Sequence, residues 1–258
     1  MPLEKTSRGT NEESQSVKYL NLVFKKKQRL EIIAIKLIKC RRFVSMILDA
    51  ELLKQLKQLK VVSEQLAEWI DVEMFDPEYL EREQIGYSID FEGNSLIHDE
   101  EGAWQADWLV IGHMKLTGDP MIIETAEPGQ PVAVLMHGMG DWHAGSYLTG
   151  SVLNFQVAIQ QFRQLIAQQN ESSWKIKCME LERIITEIVS ADEYADKDLW
   201  ESLLNPAFQA ARRMEDELTK QVLMMSKRGM SIKEIADMLQ LPLKEAYGYL
   251  KKAKELQG

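Results

Sequence analysis

The chain has 258 residues, 45% hydrophobic and 28% charged, with 14 Gly and 7 Pro, a composition that suits a globular protein with a sizeable core. The net charge of −9 is uneven, because residues 1–45 carry 11 Lys/Arg against 4 Asp/Glu and the rest of the chain holds −16. A body this acidic repels phosphate backbones at long range and argues against nucleic acid as the main partner.

Along the chain, residues 1–45 are basic and polar, and the character changes abruptly at Met46-Ile47-Leu48-Asp49, which reads as a protein start entering a helix. Residues 1–45 are therefore read as a tail, disordered or not native, with a basic arm touching membrane or nucleic acid as the other reading. Lys36, Lys39, Arg41 and Arg42 interrupt the apolar run from Leu30 to Leu48, so it suits neither a membrane span nor a signal peptide. Cys40 and Cys178 stand too far apart in dissimilar contexts to suggest a disulfide framework, and the cytoplasm is the expected compartment.

From Leu48 to Ile70, Leu52, Leu56, Leu59, Val62 and Leu66 recur at helical steps, and Asp76-Pro77 ends the pattern. Ile85 to Phe91 alternates like a half-buried strand, Glu92-Gly93-Asn94 predicts a turn, and Ser95 to His98 a return strand. Apolar runs follow at Trp108 to Ile111, Met121 to Ile123 and Val132 to Met136, separated by Gly/Pro turns and followed by a glycine-rich stretch at 138–145. This predicts a largely antiparallel meander of four or five strands. Phe155, Ile159, Phe162 and Ile166 then form a helical stripe with Ser151 as cap. More helices are predicted at 173–189, 196–204 and 207–227, before a closing helix pair. The fold class is α+β: a largely antiparallel sheet flanked by helices, with a helical C-terminal extension.

Three chemical readings fail on the residues. Val132 to Gly140 resembles the strand and His-Gly loop of α/β-hydrolases, but no Gly-x-Ser-x-Gly turn exists and no histidine follows His143. His137, Asp141 and His143 could supply metal ligands, yet there is no His-x-x-x-His pair and no neighbouring cysteine pair, so no metal or cofactor is expected. Asp119 and Glu124 resemble the acidic pair of restriction-type nucleases, but Ala126 stands where that site needs a lysine.

The pieces say more in combination. Ile111-Gly112, Gly118-Asp119-Pro120 running into Met121 to Thr125, Pro131-Val132-Ala133-Val134, His137 to Trp142, and Ser151-Val152-Leu153-Asn154-Phe155 follow one another in order. This arrangement resembles the SUKH superfamily, the domain of bacterial toxin-immunity proteins and fungal cell-wall-synthesis regulators, over about residues 50–200. Val152 and Glu124 depart from the family pattern. The resemblance implies a two-layer α+β domain without catalytic residues that binds a protein, in bacteria often a toxin delivered by a neighbouring cell. The acidic body is compatible with capping a basic surface. The candidate partner cleft is placed around Trp104, Asp119, His137, Asp141, Trp142 and His143.

At the C-terminus, Gly229 to Pro242 resembles the first half of a helix-turn-helix, with Ser231 and Glu234 forming a capping box. The second helix offers Glu245, Tyr247, Gly248 and Tyr249 rather than a basic reading surface, and residues 207–258 carry only +3. A packing or protein-interaction module is expected. The rival reading is a transcriptional regulator that binds DNA through Lys244, Lys251 and Lys252. The predicted units are thus 1–45, a SUKH-like domain at 46–204, and a helical extension at 205–258.

Overall fold

A computed structural model describes residues 49–100, 102–136, 142–171 and 177–255. The Met46 start and the basic tail lie outside the described residues. Helix α1, Ala50–Gln65, starts where Asp49 Oδ1 accepts the Leu52 amide at 2.7 Å, satisfying an N-terminal donor that has no helical partner. Its buried stripe is Leu52, Leu56, Leu59 and Val62. Short strand β1, Val72–Met74, and one-turn helix α2, Leu80–Glu83, lead into the remaining strands. These are β2, Trp108–Met114, β3, Pro120–Glu124, β4, Val132–Met136, and β5, His143–Thr149.

The five strands lie in the order β1-β2-β3-β4-β5, each antiparallel to its neighbour. The α+β class and the antiparallel meander read from the sequence are both present. A register shift between Val110 and Gly112 bends β2 as it pairs with β3. There β1 approaches so closely that a Cβ on Gly112 would lie 2.4 Å from the Glu73 carbonyl oxygen.

Period-two alternation sends side chains to two apolar faces. The front face, including Leu109, Ile111, Met121, Ile123, Val132, Val134 and Leu148, packs on helices α1, α3, Val152–Glu171, α4, Cys178–Ala191, and α5, Lys197–Leu203. Ser151 Oγ accepts the Asn154 amide at 3.0 Å, the cap its sequence context predicts. Helices α6, Asn205–Lys227, α7, Ile232–Leu239, and α8, Leu243–Glu255, form the C-terminal extension. Among the described residues no helix is long and apolar enough to cross a membrane.

The back face carries Trp108, Val110, Ile122, Ala133 and Leu135, and among the described residues no helix covers it. The irregular segment between α2 and β2 does so instead, laying Tyr87, Ile97 and Trp104 on it. The hairpin predicted at Ile85 to His98 does not form; only isolated bridges Ile85–Ile89, Ile89–Ser95 and Ile97–Trp104 occur. The reason is local. Gly86 and Gly93 turn the chain through φ +94° and +80°, and β1 already occupies the outer edge of β2 from Gly112 to Met114. Beyond β1, the buried Gln84 side chain takes over as a strand would. Its Nε2 donates to the Val110 carbonyl at 2.9 Å, and its Oε1 accepts the Val110 amide at 3.1 Å.

A buried backbone group left unpaired costs about 1–3 kcal/mol, so Gln84→Leu should lower the unfolding free energy by roughly 2–4 kcal/mol. Urea unfolding of the purified chain checks this, and a loss below about 0.5 kcal/mol would show that Val110 finds other partners.

Candidate recognition surface

Of the six candidate cleft residues, Trp104, Asp119, Trp142 and His143 lie among the described residues. Trp104 is 1% exposed and backs the surface from beneath. Its Nε1 donates to the Trp108 carbonyl at 3.3 Å, and its ring meets Trp108 edge-on at 5.6 Å and Trp142 edge-on at 5.1 Å. Trp142 is half-buried, stands 6.2 Å from Tyr87, and donates its backbone amide to the Gly102 carbonyl at 2.7 Å. Tyr87, Trp104, Trp108 and Trp142 thus make one aromatic stack, with Tyr87 and Trp142 as its half-buried members. Such edge-to-face pairs fix ring positions beyond what burial alone would do.

Asp119 belongs to the β2–β3 turn, which is closed by bonds from the Met114 amide to the Asp119 carbonyl, 2.9 Å, and from the Gly118 amide to the Met114 carbonyl, 2.8 Å. Met121 pairs with Val134, so Asp119 lies at the sheet end from which β4 runs on through Met136, opposite the end holding Trp108 and Glu124. His143 opens β5 across from Met136. His137 and Asp141 lie outside the described residues, as do Gly138 and Gly140. Among the described residues no three His, Cys, Asp or Glu side chains are grouped so as to hold a metal ion.

A second polar group lies on the back face at the Trp108 end and was not foreseen. Glu124 is 8% exposed and accepts the Tyr147 hydroxyl at 2.9 Å across the intervening strand β4. Burial holds its carboxyl above the ordinary range; the Tyr147 bond opposes this, while Asp107 and Glu127 add to it. Burial, and then Glu124 itself, pushes the Tyr147 phenol up to about 12. Tyr194 meets Tyr147 edge-on at 5.4 Å. The cross-strand placement of Trp108 against Glu124 carries this group onto the same face as the aromatic stack. The Tyr147–Glu124 bond ties β5 to β3 across β4.

The charge of the surrounding surface is one-sided. Residues 83–114 contain seven acidic side chains and no lysine or arginine. This stretch includes Tyr87, Ile97 and Trp104 of the back-face cover. At the C-terminal pair, Ser231 and Glu234 do form the capping box, and Gln240 ends α7 in the left-handed region at φ 52°. The first turn of α8 docks on the α+β body, where Lys177 Nζ meets Glu245 Oε1 at 2.7 Å. Glu215 on α6 accepts the Cys178 amide at the start of α4 at 3.2 Å. Of the three lysines in the DNA reading, Lys244 is exposed, Lys251 faces Glu255 at 3.9 Å, and Lys252 faces Asp216 at 3.7 Å.

Comparison with protein-family models, curated proteins and solved structures finds no match.

Glu124 supplies a pH test. A carboxyl raised on folding favours the folded state when protonated, and that advantage is lost as pH rises through its folded value. Glu124→Gln keeps an acceptor for Tyr147 and removes the ionisation. Its melting midpoint should exceed that of the parent by on the order of 2 °C at pH 7, the difference vanishing below about pH 4, where both side chains are neutral. Equal midpoints across the range would mean that the carboxylate is solvated.

Proposed function

We propose that the chain is a non-catalytic protein-binding protein of the SUKH type, acting in the cytoplasm as an immunity-like neutraliser of a toxin. The observation that carries this reading is the cover of the back face. It sets Trp142 on a braced aromatic stack, beside a chain segment, residues 83–114, that has seven acids and no lysine or arginine. Aromatic anchors set in firm surroundings are the residues that dominate protein–protein binding. A one-signed field around them accelerates encounter with a basic partner and adds specificity. Substrate chemistry, by contrast, would draw on a nucleophile and base held together, and the polar groups of this face are engaged in bonds that brace the sheet.

The helix-turn-helix likeness of α7 and α8 is read as packing. Glu245 in the first turn of α8 is committed to Lys177 of the body, whereas a DNA-reading helix offers that turn to base edges. Sequence-specific duplex binding by the full chain at physiological salt would favour the regulator instead.

The test is protection of cells that co-express the protein with a secreted toxin encoded beside its gene. The parent chain should protect. Asp99→Lys/Glu100→Lys/Asp107→Lys should weaken binding roughly tenfold or more and flatten its salt dependence, since these residues supply the steering field. Trp142→Ala should weaken binding at every salt concentration. Full protection by both variants, with unchanged salt dependence, would contradict the reading.

A further inference from the structure

The helix layer on the front of the sheet has an outer side, and it is not uniformly polar. Helices α1 and α3 run parallel there, with the Gln58 and Gln156 side chains bonded to each other and Arg163 donating to Gln65 Oε1 at 3.1 Å. Along them lies a groove of about 720 Å³. Leu53, Val61 and Val62 supply apolar walls, and Lys54, Lys57 and Arg163 supply positive charge, with no acidic side chain in the lining. Val61 is 53% exposed, and Val157 and Leu153 of α3 are 50% and 55% exposed. Exposed apolar side chains bordering a groove mark interaction surfaces when they form a contiguous patch.

The shape and charge of the groove specify its occupant: an apolar knob with a negative collar. The chain itself carries one. Phe91 is 88% exposed and stands between Asp90 and Glu92, inside the cation-free stretch 83–114. The turn that displays it is closed, since Asp90 Oδ1 accepts the amides of Glu92 at 2.9 Å and Asn94 at 2.7 Å, and Asp90 Oδ2 accepts the Asn94 side-chain amide at 2.7 Å. A knob held in this way loses little freedom on docking. At 88% exposure Phe91 is not seated in the groove of its own chain, so the groove must be reached from another molecule.

We propose that the Asp90-Phe91-Glu92 tip of one copy docks in the α1–α3 groove of a second copy, Phe91 entering between Leu53 and Val61 and the flanking carboxylates meeting Lys54, Lys57 and Arg163. Lys54 and Lys57 already pair with Glu51 at 3.4 Å and Glu78 at 3.0 Å, but these partners are well exposed. Exposed pairs contribute little, so giving up Glu51 and Glu78 costs little while Phe91 gains a dry environment. Tip and groove are different surfaces, so the contact is heterologous: each added copy leaves one free tip and one free groove, and assembly continues unless it closes into a ring. This association is independent of the toxin-binding reading, which rests on Trp142 and the 99–107 surface.

Sedimentation velocity of the full chain over a range of concentrations tests it. The average mass should climb past twice that of the monomer as concentration rises, and climb less at high salt. Phe91→Ala and Val61→Glu change exposed side chains, so each should stay monomeric with an unaltered melting curve. Mixed in equal amounts they should form a dimer and stop there, because one retains only the groove and the other only the tip. A parent chain that stays monomeric throughout, leaving the groove to some other molecule, would overturn the proposal. So would variants that still associate on their own, or a mixture that remains monomeric.

Discussion

A small sheet that is apolar on both faces must be covered twice, and among the described residues helices do only one of the two jobs. The front receives α1, α3, α4 and α5 in the ordinary way. The back receives an irregular segment, which can lie against apolar side chains only if its polar backbone, and that of the strand it adjoins, finds partners. Gln84 meets this demand at Val110, Trp104 Nε1 meets it at the Trp108 carbonyl, and the Trp142 amide meets it at Gly102. Irregular chain is thereby turned into a fixed surface. Recognition residues are best carried on such a surface, since their geometry is set before a partner arrives.

The same segment, residues 83–114, carries seven acidic side chains and no lysine or arginine of its own. Like charges held together oppose the compact state, and Glu124, and Asp71 beside α1, are further held above the ordinary carboxylate range by burial. A chain selected for stability alone would gain by breaking this pattern. A partner that supplies positive charge would relieve this repulsion, which is the sense in which electrostatics and proposed function support each other.

Much of the scaffold was legible in the residues. Long stripes such as Leu52-Leu56-Leu59-Val62 and Phe155-Ile159-Phe162 repeat often enough to exclude other periods, and Asp49, Ser151 and Ser231 announce their helix starts by local capping chemistry. The central strands read equally well because they are apolar on both faces and bounded by Gly and Pro. Strand β1 was missed because three residues are too few to show alternation, and β5 because Ala144, Gly145 and Ser146 hide it. The alternation of Ile85 to Ile97 was genuine but misassigned: Ile89 packs against the front core, while Tyr87 and Ile97 pack on the back. Gln84, Glu124 with Tyr147, and Lys177 with Glu245 were not legible, since each acts through a contact fixed only when distant elements meet.

Whether the back-face cover is a built surface or a loose loop is decided most directly by native-state hydrogen exchange on the free protein, read at the amides of Val110, Leu96 and Trp142. These bond to the Gln84 side chain, the Ser88 carbonyl and the Gly102 carbonyl, none of them within a regular strand pair. They should exchange as slowly as the amides of β3 and β4, opening only when the sheet itself opens. Exchange at the rate of free chain, with β3 and β4 still protected, would show that the back of the sheet has no fixed cover, and with it would go the surface on which recognition is built.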